Sequence, residues 1–192
     1  EAVPLEVSFD MPSPATLAAI VNNAPVNGKL TADWFDSLGA STFDKVKQQV
    51  SIGLAQGETV EQMVRRLRGT AAARFKDGVF ATTKHQAQAI VRTSANNVST
   101  RAREETYLAN EDVIKGVQLV ATLDSRTTDI CMGYDGQVFP VGEGPRPVFH
   151  ISCRTTTVPV TKSWKEIAGL ADVPSKAERA SMNGQVPAKM TY

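Results

Sequence analysis

Up to about Asn110 the apolar residues of this chain recur every three or four positions, and beyond it they alternate. A helix buries a stripe and a strand buries one face, so a chain with both periods in separate stretches packs helices against a sheet. The expected fold is therefore α+β: a helical N-terminal half with one long helix, and a small antiparallel β-rich C-terminal half. Phe43, Val46, Val50 and Leu54 form a single stripe over a helix from about 42 to 55. Thr59 and Gln62 make a capping box, in which each satisfies an orphan backbone N–H of the other. The helix opened there turns Val60, Met63, Val64 and Leu67 inward and Arg65, Arg66 and Arg68 outward, and Gly69 ends it. The longest pattern runs from Thr82 to about Ala109, with Ala87, Ile90, Val91, Val98 and Ala102 as its buried stripe.

After Asn110, Val117, Leu119 and Ala121 alternate with Gln118, Val120 and Thr122, which predicts a strand over about 115–123. Two shorter strands are expected over 137–139 and 154–159, and a short helix from Ser163. At the other end, Ser13-Pro14 opens a helix carrying Leu17, Ala18, Ile20 and Val21, while Trp34, Phe35 and Leu38 lie at helical spacing. From Asp172 onward the chain is polar, with Pro174, Gly184 and Pro187, and reads as an arm. The expected organisation is an N-terminal arm with the first helices (1–40), a helical region (41–112), a β-rich core (113–162) and a C-terminal arm (163–192).

The net charge of +1 conceals segregation: residues 1–61 carry −5, residues 65–103 carry +8 and residues 104–192 carry −2. Such a basic block meets phosphate, an acidic protein surface, or the chain's own acidic N-terminal third. Phe75 and Phe80 are its only aromatic residues, too few to stack bases. Any DNA contact would be to phosphates, non-specific and weakened by salt. No apolar run approaches the roughly 18 residues of a membrane helix. The start, EAVPLEVSFDMP, has neither initiator Met nor the basic and apolar regions of a signal peptide; it reads as a processed or trimmed end.

The densest stretch runs from Asp124-Ser-Arg126-Thr127 through Cys131 and Asp135-Gly136 to Gly144-Pro145-Arg146-Pro147, His150 and Cys153-Arg154. Asp135-Gly136 between apolar residues is a hairpin turn signal. Asp124 and Arg126, two apart, are expected to pair and fix the loop by a charge-assisted bond. The order D-x-R-T-x-x-x-C, D-G-x-x-F, G-P-R-P-x-x-H-x-x-C-R resembles the Mu-F-like phage head morphogenesis (minor capsid) family. Upstream, Ala89-Ile90-Val91-Arg92-Thr93 with Asn96 or Asn97 looks like that family's helical signature. The resemblance spans roughly residues 50–160. The tail resembles a segment that runs on into more chain in relatives, so a longer gene product is expected.

That resemblance implies a low-copy virion protein of the head interior or portal vertex, present in the host cytoplasm during assembly. Its implied partners are the phage portal protein, a major capsid or scaffolding protein, and non-specific DNA. Its role would be structural, without catalytic residues or a required cofactor. On this reading Asp124, Arg126, Thr127, Asp135, Gly136, Pro145, Arg146, His150 and Arg154 lock the β-half into shape. Arg92, Asn96 and Arg103, on one face of the long helix, are the candidate interaction line; a solvated face is the plainer reading.

Cys131, His150 and Cys153 supply three ligands suited to a structural zinc, with Asp129 or Asp135 as the fourth. A Cys131–Cys153 disulfide and reduced thiols packed beside a hydrogen-bonded His150 are the alternatives. An enzyme, such as a toxin-like nuclease or transferase, would have to recruit the same residues: His150 with Asp124 or Asp129 as base and orienter, and a cysteine as nucleophile. No nucleophile elbow, zincin, Walker or dinucleotide motif is present.

Overall fold

The computed structural model describes residues 9–23, 40–169, 171, 178–182 and 184–191. The helical spacing of Trp34, Phe35 and Leu38 lies outside them. In chain order the elements are α1 (Pro14–Asn23), α2 (Ala40–Ala55), α3 (Val60–Arg68), α4 (Lys84–Leu108), β1 (Ile114–Val120), α5 (Asp129–Tyr134), β2 (Val138–Phe139), β3 (Thr156–Thr161), α6 (Trp164–Ala168), β4 (Glu178–Ser181) and β5 (Gly184–Pro187).

The helical half closes because three stripes meet. Val46 and Val50 of α2, Met63, Val64 and Leu67 of α3, and Ala87, Ile90 and Val91 of α4 form one buried cluster, with Phe43, Leu54 and Val60 at its edge. Gly53 lets α2 and α3 approach: a Cβ there would lie 2.5 Å from Met63 Cγ. The Thr59–Gln62 capping box is present, at 2.7 and 3.3 Å, and a second one, Thr83 with Gln86, starts the long helix.

Helix α4 changes character along its length. Ala87, Ile90 and Val91 are buried against the other helices, whereas the later buried positions are Thr93, Ser94, Thr100 and Tyr107. Val98 and Ala102, expected to continue the apolar stripe, are only half-buried. The reason is the neighbour: Thr93, Asn96 and Tyr107 face polypeptide backbone of the β-half and bond it, while the Thr100 hydroxyl is buried without a hydrogen-bond partner.

Strand β1 is central in an antiparallel sheet of order β2-β1-β3. Val117 pairs with Phe139 on one side and with Pro159 on the other, and Val117 and Leu119 are fully buried. Pro159 is tolerated because β3 is an edge strand, where a missing N–H costs no ladder bond on the open side. Beneath the sheet, Tyr107, Val113, Ile114 and Val117 form a second core with Val141 and Ile167. A third gathers Ala121, Cys131 and Cys153 with Val148 and Phe149. Asn110, 1% exposed, joins the N-terminal segment to the end of α4, exchanging two 2.8 Å bonds with the backbone of Asp10.

The fold is α+β as expected, with local differences. The first strand ends at Val120, and the third begins at Thr156, two residues after Arg154. Asp135-Gly136 is not a tight hairpin turn between strands; it ends the six-residue helix α5 and leads into β2. Gly136 has φ +79°, and a Cβ there would lie 2.4 Å from Thr191 Cγ2. The tail read as a polar arm forms, in its described part, the β4–β5 hairpin, with a parallel bridge from Ser181 to Leu123.

Truncating the central strand tests this core. Leu119→Ala should lower unfolding free energy by about 2–5 kcal/mol in denaturant titration. Val158→Ala on the edge strand should cost less than about 1 kcal/mol.

Candidate functional site

The segment from His150 to Thr155 carries the densest part of the motif and has no strand partner of its own until β3 begins. Its backbone is satisfied by side chains of α4. The Thr93 hydroxyl donates to the Ala89 carbonyl at 2.7 Å and accepts from the Ser152 N–H at 2.8 Å. The Asn96 amide donates to the carbonyls of Cys153 and Thr155, at 2.9 and 3.3 Å. Ser152 takes a left-handed conformation, φ 59°. The Tyr107 hydroxyl, farther along the helix, donates to the Thr157 carbonyl at 3.1 Å. Thus Asn96, placed on an outward interaction line by its sequence position, points inward. Arg92 is exposed and Arg103 half-buried, its Nη1 without a hydrogen-bond partner.

Three arginines bind the loops around this grip. Arg146 forks onto Glu104 of α4, Nε to Oε2 at 2.7 Å and Nη2 to Oε1 at 3.0 Å, and its remaining N–H groups reach the carbonyls of Pro140, Glu143 and Pro145. The same carboxylate accepts from Gly142 N–H at 2.9 Å. Arg154 forks onto Asp124, at 2.5 and 2.6 Å. The expected Asp124–Arg126 pair is looser: 3.6 Å apart, with the Arg126 side chain 80% exposed. Because β1 stops at Val120, Asp124 and Arg126 share no strand face; Arg126 contributes its backbone N–H to Asp124 instead, at 2.9 Å. Thr127 completes the turn, its hydroxyl donating to the Thr122 carbonyl. Arg154 holds the Asp124 carboxyl far below the ordinary carboxylate range, helped by the Arg126 backbone N–H.

The third arginine, Arg179, carries no sequence signal. Its side chain is 10% exposed, and its guanidinium meets the fully buried Asp135 carboxylate at 3.0 and 3.2 Å. It also donates to the carbonyls of Ala121 and, at 2.8 Å, Met190. Asp135 accepts from Ala121 N–H at 2.7 Å as well. A paired, fully hydrogen-bonded charge of this kind tolerates burial, and removal of one partner does not. Only the fold, which brings residue 179 over the end of β1, reveals it.

Cys131, the buried residue of α5, meets the motif's second half. Its Sγ lies 3.1 Å from His150 Nε2 and 3.8 Å from Cys153 Sγ; both thiols are free. These three residues form the one group of metal-ligating side chains found among the described residues. The other candidate ligands are elsewhere: Asp135 is taken by Arg179, and Asp129 is exposed on the first turn of α5. His150 Nδ1 faces the Ile151 carbonyl at 2.9 Å, so no carboxylate orients the imidazole. Burial pushes the Cys131 thiol up, Cys153 adds to this, and the hydroxyls of Thr128 and Thr155 oppose it. An activated nucleophile needs the opposite shift. The adjoining cavity, of about 30 Å³, is lined by Thr127, Thr128, Ser152 and Thr155 among others.

The model of the phage Mu protein F-like family matches residues 44–158. The chain belongs to that family. No curated protein and no solved structure matches it significantly. Family membership carries a role related to the phage head. The Mu F-like stretch runs from within α2 to the middle of β3, hence takes in both the α4 grip and the Arg146 and Arg154 locks; Arg179 lies beyond it.

Substitution distinguishes these arginines. Arg154→Ala should lower the melting temperature clearly and Arg126→Ala hardly at all, read by calorimetry. Asp124 has a depressed pKa in the fold, so its stabilisation is present above the ordinary value of about 3.9 and is lost as pH falls toward the folded one. The difference between wild type and Arg154→Ala should hold constant above about pH 5 and shrink only in stronger acid. Arg179→Met, leaving Asp135 buried and unpaired, should cost on the order of 3 kcal/mol.

Proposed function

We propose that this Mu F-like chain is a minor head protein that acts structurally at the portal vertex during head assembly. The observation that carries the reading is how the motif residues are spent. Thr93, Asn96, Asp124, Arg146 and Arg154 each hold backbone or a counter-charge of the chain itself. A site that turns over substrate needs groups held in reserve and facing a cleft. Here His150 is bonded to a backbone carbonyl and the Cys131 thiol is pushed up by burial. The cavity beside them holds about a single water.

The fold leaves the basic block outward. Among the described residues, the basic block has one ion pair with the acidic N-terminal third, Arg66 with Glu58. Arg65, Arg74, Lys76, Lys84, Arg92 and Arg101 are exposed. A rigid body with a cationic helical face suits docking on an acidic patch of the portal, with α4 as the contact edge. The same cations would meet packaged DNA only through phosphates.

Copurification tests the docking. The chain should be recovered with the portal protein in a defined complex that survives moderate salt, and labelling should place it at one vertex of the head. Reversing charge with Arg92→Glu and Arg101→Glu together should leave melting unchanged and reduce incorporation about tenfold or more. Uniform distribution over the shell, or unchanged incorporation of the double variant, would refute the reading.

A further inference from the structure

We propose that Cys131, His150 and Cys153 bind one zinc ion as a structural site, its fourth position filled by solvent in the adjoining cavity. Zinc–sulfur bonds of about 2.3 Å at tetrahedral angles place two ligating sulfurs about 3.8 Å apart. The two thiols are 3.8 Å apart here. That spacing also suits two thiols in van der Waals contact, so the distance alone does not decide the matter; the imidazole does. With Nδ1–H donated to the Ile151 carbonyl, His150 turns its Nε2 lone pair toward the Cys131 sulfur, where it accepts the thiol hydrogen that a bound ion would replace. Backbone bonding of the far ring nitrogen is how metal-ligating histidines are held in the correct tautomer. The Nε2–Sγ distance of 3.1 Å is a few tenths of an ångström shorter than a bound ion would set, and small side-chain rotations supply that opening.

Two further features suit the ion. The Thr155 hydroxyl, on a residue 2% exposed, has no hydrogen-bond partner, and it lines the same cavity as Cys131. A metal-bound thiolate would accept that hydrogen. Binding also replaces two thiol protons by one dication, so with a neutral imidazole the filled site carries no net charge. That is the condition under which burial costs least. The cavity of about 30 Å³ has room for a water as fourth ligand. A three-ligand zinc with an accessible fourth position commonly serves catalysis; without room for a substrate, this one serves to join α5 to the turn at 150–153. The inference is independent of where in the head the protein sits.

The full chain, purified under reducing conditions, is assayed for metal, stripped, and titrated with zinc and with cobalt(II). The expected result is about one zinc per chain, a cobalt spectrum with the intense visible bands and thiolate charge transfer of a tetrahedral site, and a melting temperature that rises on loading. His150→Ala and Cys153→Ser should lose stoichiometric uptake, whereas Asp129→Asn should retain it. Thr155→Val should weaken binding about tenfold. Since a ligand variant can simply unfold, the wild type gives the decisive reading. Folded, reduced wild-type protein that takes up neither ion overturns the proposal. So does a Cys131–Cys153 disulfide in protein isolated without exposure to air, or loss of uptake in Asp129→Asn.

Discussion

A half-buried turn with no strand beside it must find partners for its peptide groups, and in this protein one face of α4 provides them. Thr93 takes the Ser152 N–H, Asn96 takes the Cys153 and Thr155 carbonyls, and Tyr107 takes that of Thr157. Each group left bare would cost about 1–3 kcal/mol, so the helix and the turn are fixed together or neither is. Everything distinctive follows from that grip. It sets Cys153 against Cys131, aims Arg154 at Asp124, and brings the loop at 140–146 close enough for Arg146 to reach Glu104.

The consequence for function is subtractive. Polar residues that sequence spacing alone would offer to a partner or a substrate are consumed in closing the β-half. The basic residues of α3, the 70–80 loop and α4 are not spent in this way: Arg65, Arg74, Lys76, Lys84, Arg92 and Arg101 stay exposed.

Repetitive structure was legible in the sequence because its signals are local. The α3 capping box, the stripes of α2 and α3, and the alternation in β1 needed no knowledge of tertiary contacts. The second half of α4 is not legible because a helix facing backbone looks, in sequence, like a helix facing water: Thr93 and Asn96 are polar either way. Asp124 was assigned to Arg126 because proximity along the chain was the only proximity visible, whereas Arg154 is 30 residues away. Helix α5 escaped because six residues are too few to show a period. Arg179 escaped because it lies in a polar stretch among Gly and Pro, where a lone arginine resembles any solvated cation. Family membership was legible, since the order of motif residues survives whatever their contacts turn out to be.

Arg179 also ties the β4–β5 hairpin to the sheet. The Asp135 carboxylate is buried with that guanidinium as its counter-ion, so the hairpin cannot swing away from the end of β1 without stranding an acid in the interior. A segment that looks peripheral in the chain is thereby made part of the closed β-half.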